Sequence, residues 1–291
     1  MREPAAILLN RAAATARNPR VTRAVALTRA ALDADVHVAD TRNADELGAW
    51  MAERVPGYAT VVVAGGDGSL SVAYNVLAGR SDVTLGYIPA GFGNATANLL
   101  DMPSRPEWLA AVIARGDARP VDLVEVNGRL ALFAGAGWDA VVAERYHAAG
   151  ARRLLGWAGA IARSVPDLLH RPEVSVTADG TVVHEGPMEL LVAGTTPWYG
   201  RGLLVNPGAR PDRGELTLRV YRGPLPRFAM DAARWVAKRS PSPPAIGARE
   251  VVVRTAAGEP LTVQADGDVV GSQPEWRISI RPAAVRLIGR W

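Results

Sequence analysis

The chain has 291 residues, a net charge of +4 and no cysteine, and 48% of its residues are hydrophobic against 21% charged. That length suits one large domain or, preferably, two ordinary ones, and the composition is that of a chain globular throughout. The lack of cysteine excludes disulfide scaffolds, thiolate nucleophiles and cysteine-ligated zinc or iron–sulfur centres, and no apolar run approaches the roughly 20 residues of a membrane-spanning helix.

The N-terminus, Met1-Arg2-Glu3-Pro4, leads into a strand and not into a signal sequence. Ala5 to Leu9 is a short apolar strand ending at Asn10, with a loop to Asn18 and a helix from about Arg20 to Leu32. Asp35 to Val38 reads as a second strand, Thr41 and Asn43 as loop, and Ala44 to Arg54 as a helix with Leu47 and Met51 on one face. The β-branched run Val61-Val62-Val63 then breaks into Gly65-Gly66-Asp67-Gly68-Ser69, followed by a helical stretch to Leu77. Val83 to Ile88 repeats the pattern, closed by Pro89-Ala90-Gly91-Phe92-Gly93-Asn94 and a helix from Ala95 to Leu100, and a further helix spans Pro106 to Arg115. Strands alternating with helices predict a parallel sheet covered on both faces, with ligands at the carboxyl ends of its strands.

From Arg119 the pattern changes to antiparallel signals. Asp122 to Val126 and Arg129 to Phe133 flank Asn127-Gly128, a favoured hairpin turn. Two helical stretches, Trp138 to Ala149 and Arg152 to Leu169, precede strands at Val174–Thr177, Thr181–His184, Glu189–Ala193, Glu215–Tyr221, Val251–Thr255, Leu261–Ala265 and Trp276–Ile280. The fold class expected is α/β plus all-β: a parallel-sheet domain over residues 1–118, and an antiparallel β-sandwich over 119–282, with residues 283–291 packing back on the first. Ser240-Pro241-Ser242-Pro243-Pro244 alone has the composition of a flexible connector.

Glycines at a strand-to-helix turn let backbone N–H groups approach an anion, and the helix N-terminus adds its positive dipole end. Of 33 basic residues only Lys238 is lysine, so a phosphate clamp here uses arginine or backbone. The Gly65–Ser69 turn is neither a Walker A loop, since no Gly-Lys-Ser/Thr follows, nor a dinucleotide fingerprint, since the third glycine is missing. Taken alone, Asp67 reads equally well as a helix cap or as an acid serving phosphate chemistry.

The order of motifs resembles the diacylglycerol kinase catalytic family, which includes sphingosine, ceramide and bacterial lipid kinases. The resemblance rests on Gly65 to Ser69, on Pro89 to Asn94, on Val121-Asp122-Leu123 before a hairpin, on Gly135-Ala136-Gly137-Trp138-Asp139 and on Ala265-Asp266-Gly267-Asp268. It implies an ATP-dependent kinase that phosphorylates a hydroxyl of a diacylglycerol- or sphingoid-type lipid, with its active site in a cleft between the two domains. By position, Asn10, Thr41, Gly65, Gly66, Asp67, Gly68, Ser69, Gly91, Gly93 and Asn94 would contact ATP, and Asp67 would serve magnesium-bound phosphates. Asp266 or Asp268 would be the base that takes the lipid hydroxyl proton. Without the resemblance, Asp266-Gly267 is an ordinary hairpin turn.

Departures from the family pattern are Phe92, where a Thr or Ser hydroxyl is usual, Val72 in place of a glutamate, and Arg11-Ala12-Ala13-Ala14, which lacks the usual Pro and Gly. Arg213 stands where bacterial members carry an aspartate linked to a structural magnesium, leaving Asp212 and Glu215 as candidate metal ligands. The partners implied are ATP with Mg2+, a membrane-derived lipid and transient contact with an anionic membrane surface, with no nucleic acid; a homodimer is left open. The expected location is cytoplasmic, or peripheral at the inner membrane face. Two alternatives stay open: a soluble kinase of the NAD kinase type, which resembles this chain in its Gly-Gly-Asp-Gly turn, and a catalytically weakened lipid- or nucleotide-binding protein. Arg152–Arg163 and Arg227–Arg239, the latter with Phe228, Met230 and Trp235, read as amphipathic helices that pack on the sandwich or touch a membrane. His37, His147, His170 and His184 show no ligand spacing.

Overall fold

A computed structural model describes residues 3–148, 154–169, 171–200, 202–256 and 258–291. The chain forms two compact units: Met1–Val121 with Gly200–Gly202 and Ala283–Trp291, and Asp122–Tyr199 with Leu203–Pro282.

In the first unit, β1 (Ala5–Asn10), α1 (Pro19–Leu32), β2 (Asp35–Ala39), α2 (Ala44–Arg54), β3 (Thr60–Gly65), α3 (Asp67–Leu77), β4 (Thr84–Pro89), α4 (Ala95–Leu99) and α5 (Pro106–Arg115) follow one another. The strands lie in the order β2-β1-β3-β4, all parallel. Helix ends follow local chemistry. Asn18 caps α1 by accepting the Arg20 N–H, with Pro19 in the first turn where a missing N–H costs nothing. Asn43 caps α2 by accepting from Asp45 and Glu46. Ile7, Val62, Ala64 and Ile88 of the sheet pack with Val21 and Ala24 of α1 and Leu109 and Ile113 of α5. On α2 and α3, Gly48 and Val72 approach closely, so Val72 serves helix packing.

The second unit continues from β5 (Ala118–Val126) through β6 (Arg129–Ala131), β7 (Phe133–Gly137), α6 (Trp138–Ala148), α7 (Leu154–Ser164), β8 (Glu173–Ala178), β9 (Thr181–Pro187), β10 (Leu190–Gly194), β11 (Trp198–Tyr199), β12 (Leu203–Leu204), β13 (Leu216–Tyr221), α8 (Leu225–Val236), β14 (Ile246–Ala248), β15 (Glu250–Thr255), β16 (Leu261–Ala265), β17 (Asp268–Gln273) and β18 (Glu275–Ile288). One antiparallel layer has the order β14-β13-β10-β7-β16-β17. The facing layer includes β9, β8, β15 and the first part of β18. Val176, Leu191, Leu218, Val253, Val263 and Trp276 fill the space between them. The far end of β18 belongs to the first unit, where Leu287 pairs with Leu85 of β4 in parallel.

Several expectations are corrected. The run Arg129 to Phe133 divides at Leu132, because β6 pairs with β5 while β7 joins the other layer. The predicted strand ending at Ile280 extends to Ile288. The helical stretch to Leu169 stops at Ser164 and resumes as a 3-10 turn at Pro166–Leu169, where proline supplies no helical N–H. Its expected start at Arg152 and Arg153, and also Ala149 and His170, lie outside the described residues.

The Ser240–Pro244 segment is pinned, not a free connector. Buried Asp231 accepts both the backbone N–H and the hydroxyl of Ser242, at 2.7 and 2.8 Å, and Arg219 reaches the Pro243 carbonyl. On α8, Phe228 and Trp235 point inward onto Tyr221 and Val205, which leaves Met230 outside. No helix among the described residues is long and apolar enough to cross a membrane.

Candidate active site

The two glycine turns meet at the carboxyl ends of β3 and β4, which are neighbouring strands in register from Thr60↔Thr84 to Gly65↔Pro89. Their backbones almost touch. A Cβ on Gly91 would lie 2.6 Å from the Gly66 Cα, and one on Gly66 would lie 3.1 Å from the Gly91 Cα. A side chain at either position would wedge the turns apart. Gly65 is held by a different neighbour, since its Cβ would lie 2.6 Å from the Cβ of Ser69.

Gly66 is the N-cap of α3 and supplies no side-chain acceptor, so the first N–H groups of this 11-residue helix have no capping side chain. This is an anion-receptive helix end. Asp67, in its first turn, directs its carboxylate away from α3 to the start of α4, accepting the Ala95 N–H at 3.1 Å and the Thr96 N–H at 3.3 Å. Burial pushes the Asp67 carboxyl up from its ordinary value, opposed by the hydrogen bonds from Ala95, Thr96 and Asn94. The helix that Asp67 caps is thus α4, and its carboxylate also receives the Thr96 side chain and the Asn94 N–H.

Asn94 shapes the second turn from the left-handed region, with φ 49° and ψ 46°. Its side-chain oxygen accepts the Gly91 N–H at 2.9 Å and the Tyr87 hydroxyl at 3.0 Å, and its amide donates to the Gly91 carbonyl at 3.1 Å. Gly93 passes over Asp67: a Cβ there would lie 3.2 Å from the carboxylate oxygen. Gly68 is open on its outer side, with nothing within 4 Å of where a Cβ would be.

Asn10 at the end of β1, Thr41 in the loop before α2 and Ser69 in the first turn of α3 are also brought together. Asn10 is buried, and its amide donates to the Thr41 carbonyl at 3.0 Å and to the Ser69 hydroxyl at 3.2 Å. The Thr41 hydroxyl in turn donates to Glu46 at 2.6 Å.

In the second unit, Asp266 and Gly267 form the two-residue turn between β16 and β17, with positive φ at both (50° and 92°). The two acids of this turn have different surroundings. Asp266 accepts the Leu132 N–H at 3.0 Å and the Phe133 N–H at 3.2 Å, so its carboxylate holds the β6–β7 crossing. Asp268 pairs with Arg129 at 2.6 Å, and its side chain is 36% exposed. Beside them is a cluster absent from the candidate list made from the sequence: Asp139 accepts from Gln264 at 2.8 Å and from the Tyr199 hydroxyl at 3.2 Å. Asp139 lay within the Gly135–Asp139 motif, and Gln264 was visible as a polar break in an apolar strand. Tyr87 and Tyr199 carried no such signal.

Asp212 and Glu215 are not joined in a metal-binding group. Asp212 is clamped by Arg210 through two bonds of 3.1 Å, which hold its carboxyl below the usual range, and Glu215 lies against Gly247. No group of three or more His, Asp or Glu side chains that could hold a metal ion occurs among the described residues. Phosphates fit the first turn, where two backbones exclude Cβ atoms and the opening N–H groups of α3 have no capping side chain. The described residues include no side-chain cage for a separate divalent ion beside these turns.

Residues 4–126 match the family model of the diacylglycerol kinase catalytic domain, and residues 133–289 match that of the YegS C-terminal NAD kinase beta sandwich-like domain. The chain therefore belongs to the diacylglycerol kinase-like family of lipid kinases. It is 28% identical over 234 residues to the Pseudomonas aeruginosa PAO1 protein named "Probable lipid kinase YegS-like", covering 79% of this chain and 76% of that one. It is 34% identical over 170 residues to a diacylglycerol kinase of Mycobacterium tuberculosis H37Rv, covering 54% and 53% of the two chains. Among solved structures, a diacylglycerol kinase from Bacillus anthracis str. Sterne superposes with a TM-score of 0.75 at 20% identity, over 99% of this chain and 97% of the other, which shows the shared fold.

Proposed function

We propose that this lipid kinase transfers the γ-phosphoryl group of ATP to a hydroxyl of a diacylglycerol- or sphingoid-type lipid. The observation that carries the reading is the contact of Gly66 with Gly91 beside the uncapped end of α3, a backbone cradle for phosphates that needs no lysine. Asn10, Thr41 and Ser69 extend that cradle through one hydrogen-bonded chain. Mg2+ bound with the nucleotide neutralises phosphate charge. Asp67, whose proton affinity is raised by burial, ties the second turn to the first beside the place where magnesium-bound phosphates would lie.

Of the two late acids, Asp268 is the better base for the lipid hydroxyl. Asp266 already accepts two backbone N–H groups, whereas Asp268 sits beyond the turn with a third of its side chain exposed and is oriented by Arg129. As the hydroxyl oxygen bonds to the γ-phosphorus, its proton passes to the Asp268 carboxylate and ADP leaves. Contact with an anionic membrane surface would give access to such a lipid, and the excess of arginine suits it.

The test is phosphoryl transfer by the purified protein with Mg-ATP and a panel of diacylglycerols, ceramides and sphingoid bases in mixed micelles, with NAD in a parallel arm. A phosphorylated lipid is expected. Folded protein that yields no phospholipid from any of them would overturn the proposal, and transfer to NAD alone would replace it by a soluble kinase.

A further inference from the structure

The cluster of Asp139, Tyr199 and Gln264 is used neither by the phosphate cradle nor as a proton acceptor. Asp139, in the first turn of α6, presents Oδ2 to the Gln264 amide at 2.8 Å and to the Tyr199 hydroxyl at 3.2 Å. The same Gln264 nitrogen also donates to the Tyr199 oxygen at 3.0 Å. At the other end of that amide, the Gln264 oxygen accepts the Gly267 N–H at 2.7 Å, inside the turn that carries Asp266 and Asp268.

A glutamine amide is polar end to end. When its nitrogen is fixed by an acceptor, its oxygen must face the opposite way. Asp139 Oδ2 accepts from both Gln264 and Tyr199, which favours the orientation in which the Gln264 oxygen receives Gly267. Gln264 is buried, at 2% exposure, so no water competes for either end.

Two further observations show that this arrangement is specific. Gly135 leaves room for the carboxylate: a Cβ there would lie 1.9 Å from Asp139 Oδ2 and 2.6 Å from the Gln264 nitrogen. Among the described residues, buried Asp139 Oδ1 receives no hydrogen bond of good geometry, a costly state for an acid whose only task is to fill space. Burial pushes this carboxyl up to about 7, against the opposing bonds from Gln264 and Tyr199.

We propose that Asp139 is a positioning residue that acts through Gln264 to hold the Asp266-Gly267-Asp268 turn in the conformation phosphoryl transfer requires. The catalytic half of this inference rests on the lipid-kinase reading above, whereas the link from Asp139 to the Gly267 N–H does not. Asp139→Ala removes the acceptor and frees the amide to rotate. Asp139→Asn keeps an oxygen facing the same two donors.

The experiment measures amide hydrogen exchange across residues 261–273 together with steady-state kinetics, in the wild type, Asp139→Ala, Asp139→Asn and Gln264→Leu. Asp139→Ala and Gln264→Leu are expected to speed exchange at Gly267 and to lower kcat by up to about 100-fold with KM for ATP unchanged, because the displaced group meets the acceptor and not the nucleotide. Asp139→Asn is expected to recover most of both, and the double variant to be no worse than either single one. Unchanged exchange at Gly267 in folded Asp139→Ala overturns the link, and a fall in kcat that Asp139→Asn fails to recover overturns positioning by hydrogen bonding. If the wild type phosphorylates no acceptor, the kinase reading fails while the exchange comparison still decides the link. Should Asp139→Ala not fold, Asp139→Ser, whose hydroxyl falls short of the Gln264 amide, decides the link by the same exchange measurement.

Discussion

Asp67 accepts the backbone N–H of Ala95 across 3.1 Å, so a residue of the first glycine turn caps the helix that follows the second. The two turns thus move as one piece, and the acid that the resemblance assigns to phosphate chemistry is also the fastener between them. Asp67→Ala is expected to lower stability by about 1 kcal/mol, as for other lost N-caps, and to abolish phosphoryl transfer. Asp67→Asn keeps one acceptor oxygen but turns an NH2 toward the other N–H, so it should lose part of that stability and remain inactive. Thermal denaturation beside the lipid assay separates the two effects, and an active Asp67→Asn would remove the charge from the mechanism.

Gly91→Ala places a Cβ 2.6 Å from the Gly66 Cα and 2.8 Å from the Asn94 side-chain oxygen. Backbone cannot yield as a flexible side chain can, so one turn must shift, at about 1–3 kcal/mol. The expected result is a large rise in KM for ATP, with secondary structure by circular dichroism preserved. Gly68→Ala, which meets nothing within 4 Å, is the matched control and should fold with wild-type stability.

The buried Asp139 makes stability depend on pH with a definite sign. Its carboxyl lies at about 7 in the fold against 3.8 for the ordinary group, so the folded protein holds this proton more tightly than the unfolded chain. The stabilisation is fully present below about pH 4 and is lost as pH rises through 7, by up to ~4 kcal/mol at about 1.4 kcal/mol per pKa unit. Asp139→Asn lacks this loss. Denaturant unfolding at pH 5 and pH 8 should show the variant gaining on the wild type at the higher pH; parallel curves at both would refute the assignment.

Asp212 is held by Arg210, and neither Asp212 nor Glu215 belongs to a three-ligand group among the described residues. Exposed ion pairs contribute about 0–1 kcal/mol, so Asp212→Ala should change stability by no more than that. Without nucleotide, EDTA should leave the melting temperature unchanged, and a drop of several degrees would reveal a structural divalent ion.

The strand-to-helix turns were legible because their signal is local. Val61-Val62-Val63 followed by glycines can be read within one strand and one turn, and the same holds for Asn127-Gly128, whose positive φ angles of 52° and 75° suit a two-residue hairpin. Partners distant in the chain were not legible. The Asp67 carboxylate could be read as a cap or as an acid, and only Ala95 and Thr96, nearly thirty positions on, show which helix it caps. Ser240–Pro244 carries a linker's composition, yet buried Asp231 fastens it. The strand expected to stop at Ile280 runs on because Leu287 finds Leu85 beside it.

By itself the sequence determined the alternation of elements and the two glycine turns, which depend on periodicity and on backbone freedom within a few residues, while the order of its motifs carried the resemblance to lipid kinases. Tertiary structure alone decided that Gly66 and Gly91 touch, that Asp266 is committed to backbone N–H groups while Asp268 pairs with an arginine, and that Asp139 is buried with one oxygen unmet. The physical reason is that hydrogen bonding and desolvation are set by which groups share a volume, and that is fixed only when distant strands close on one another.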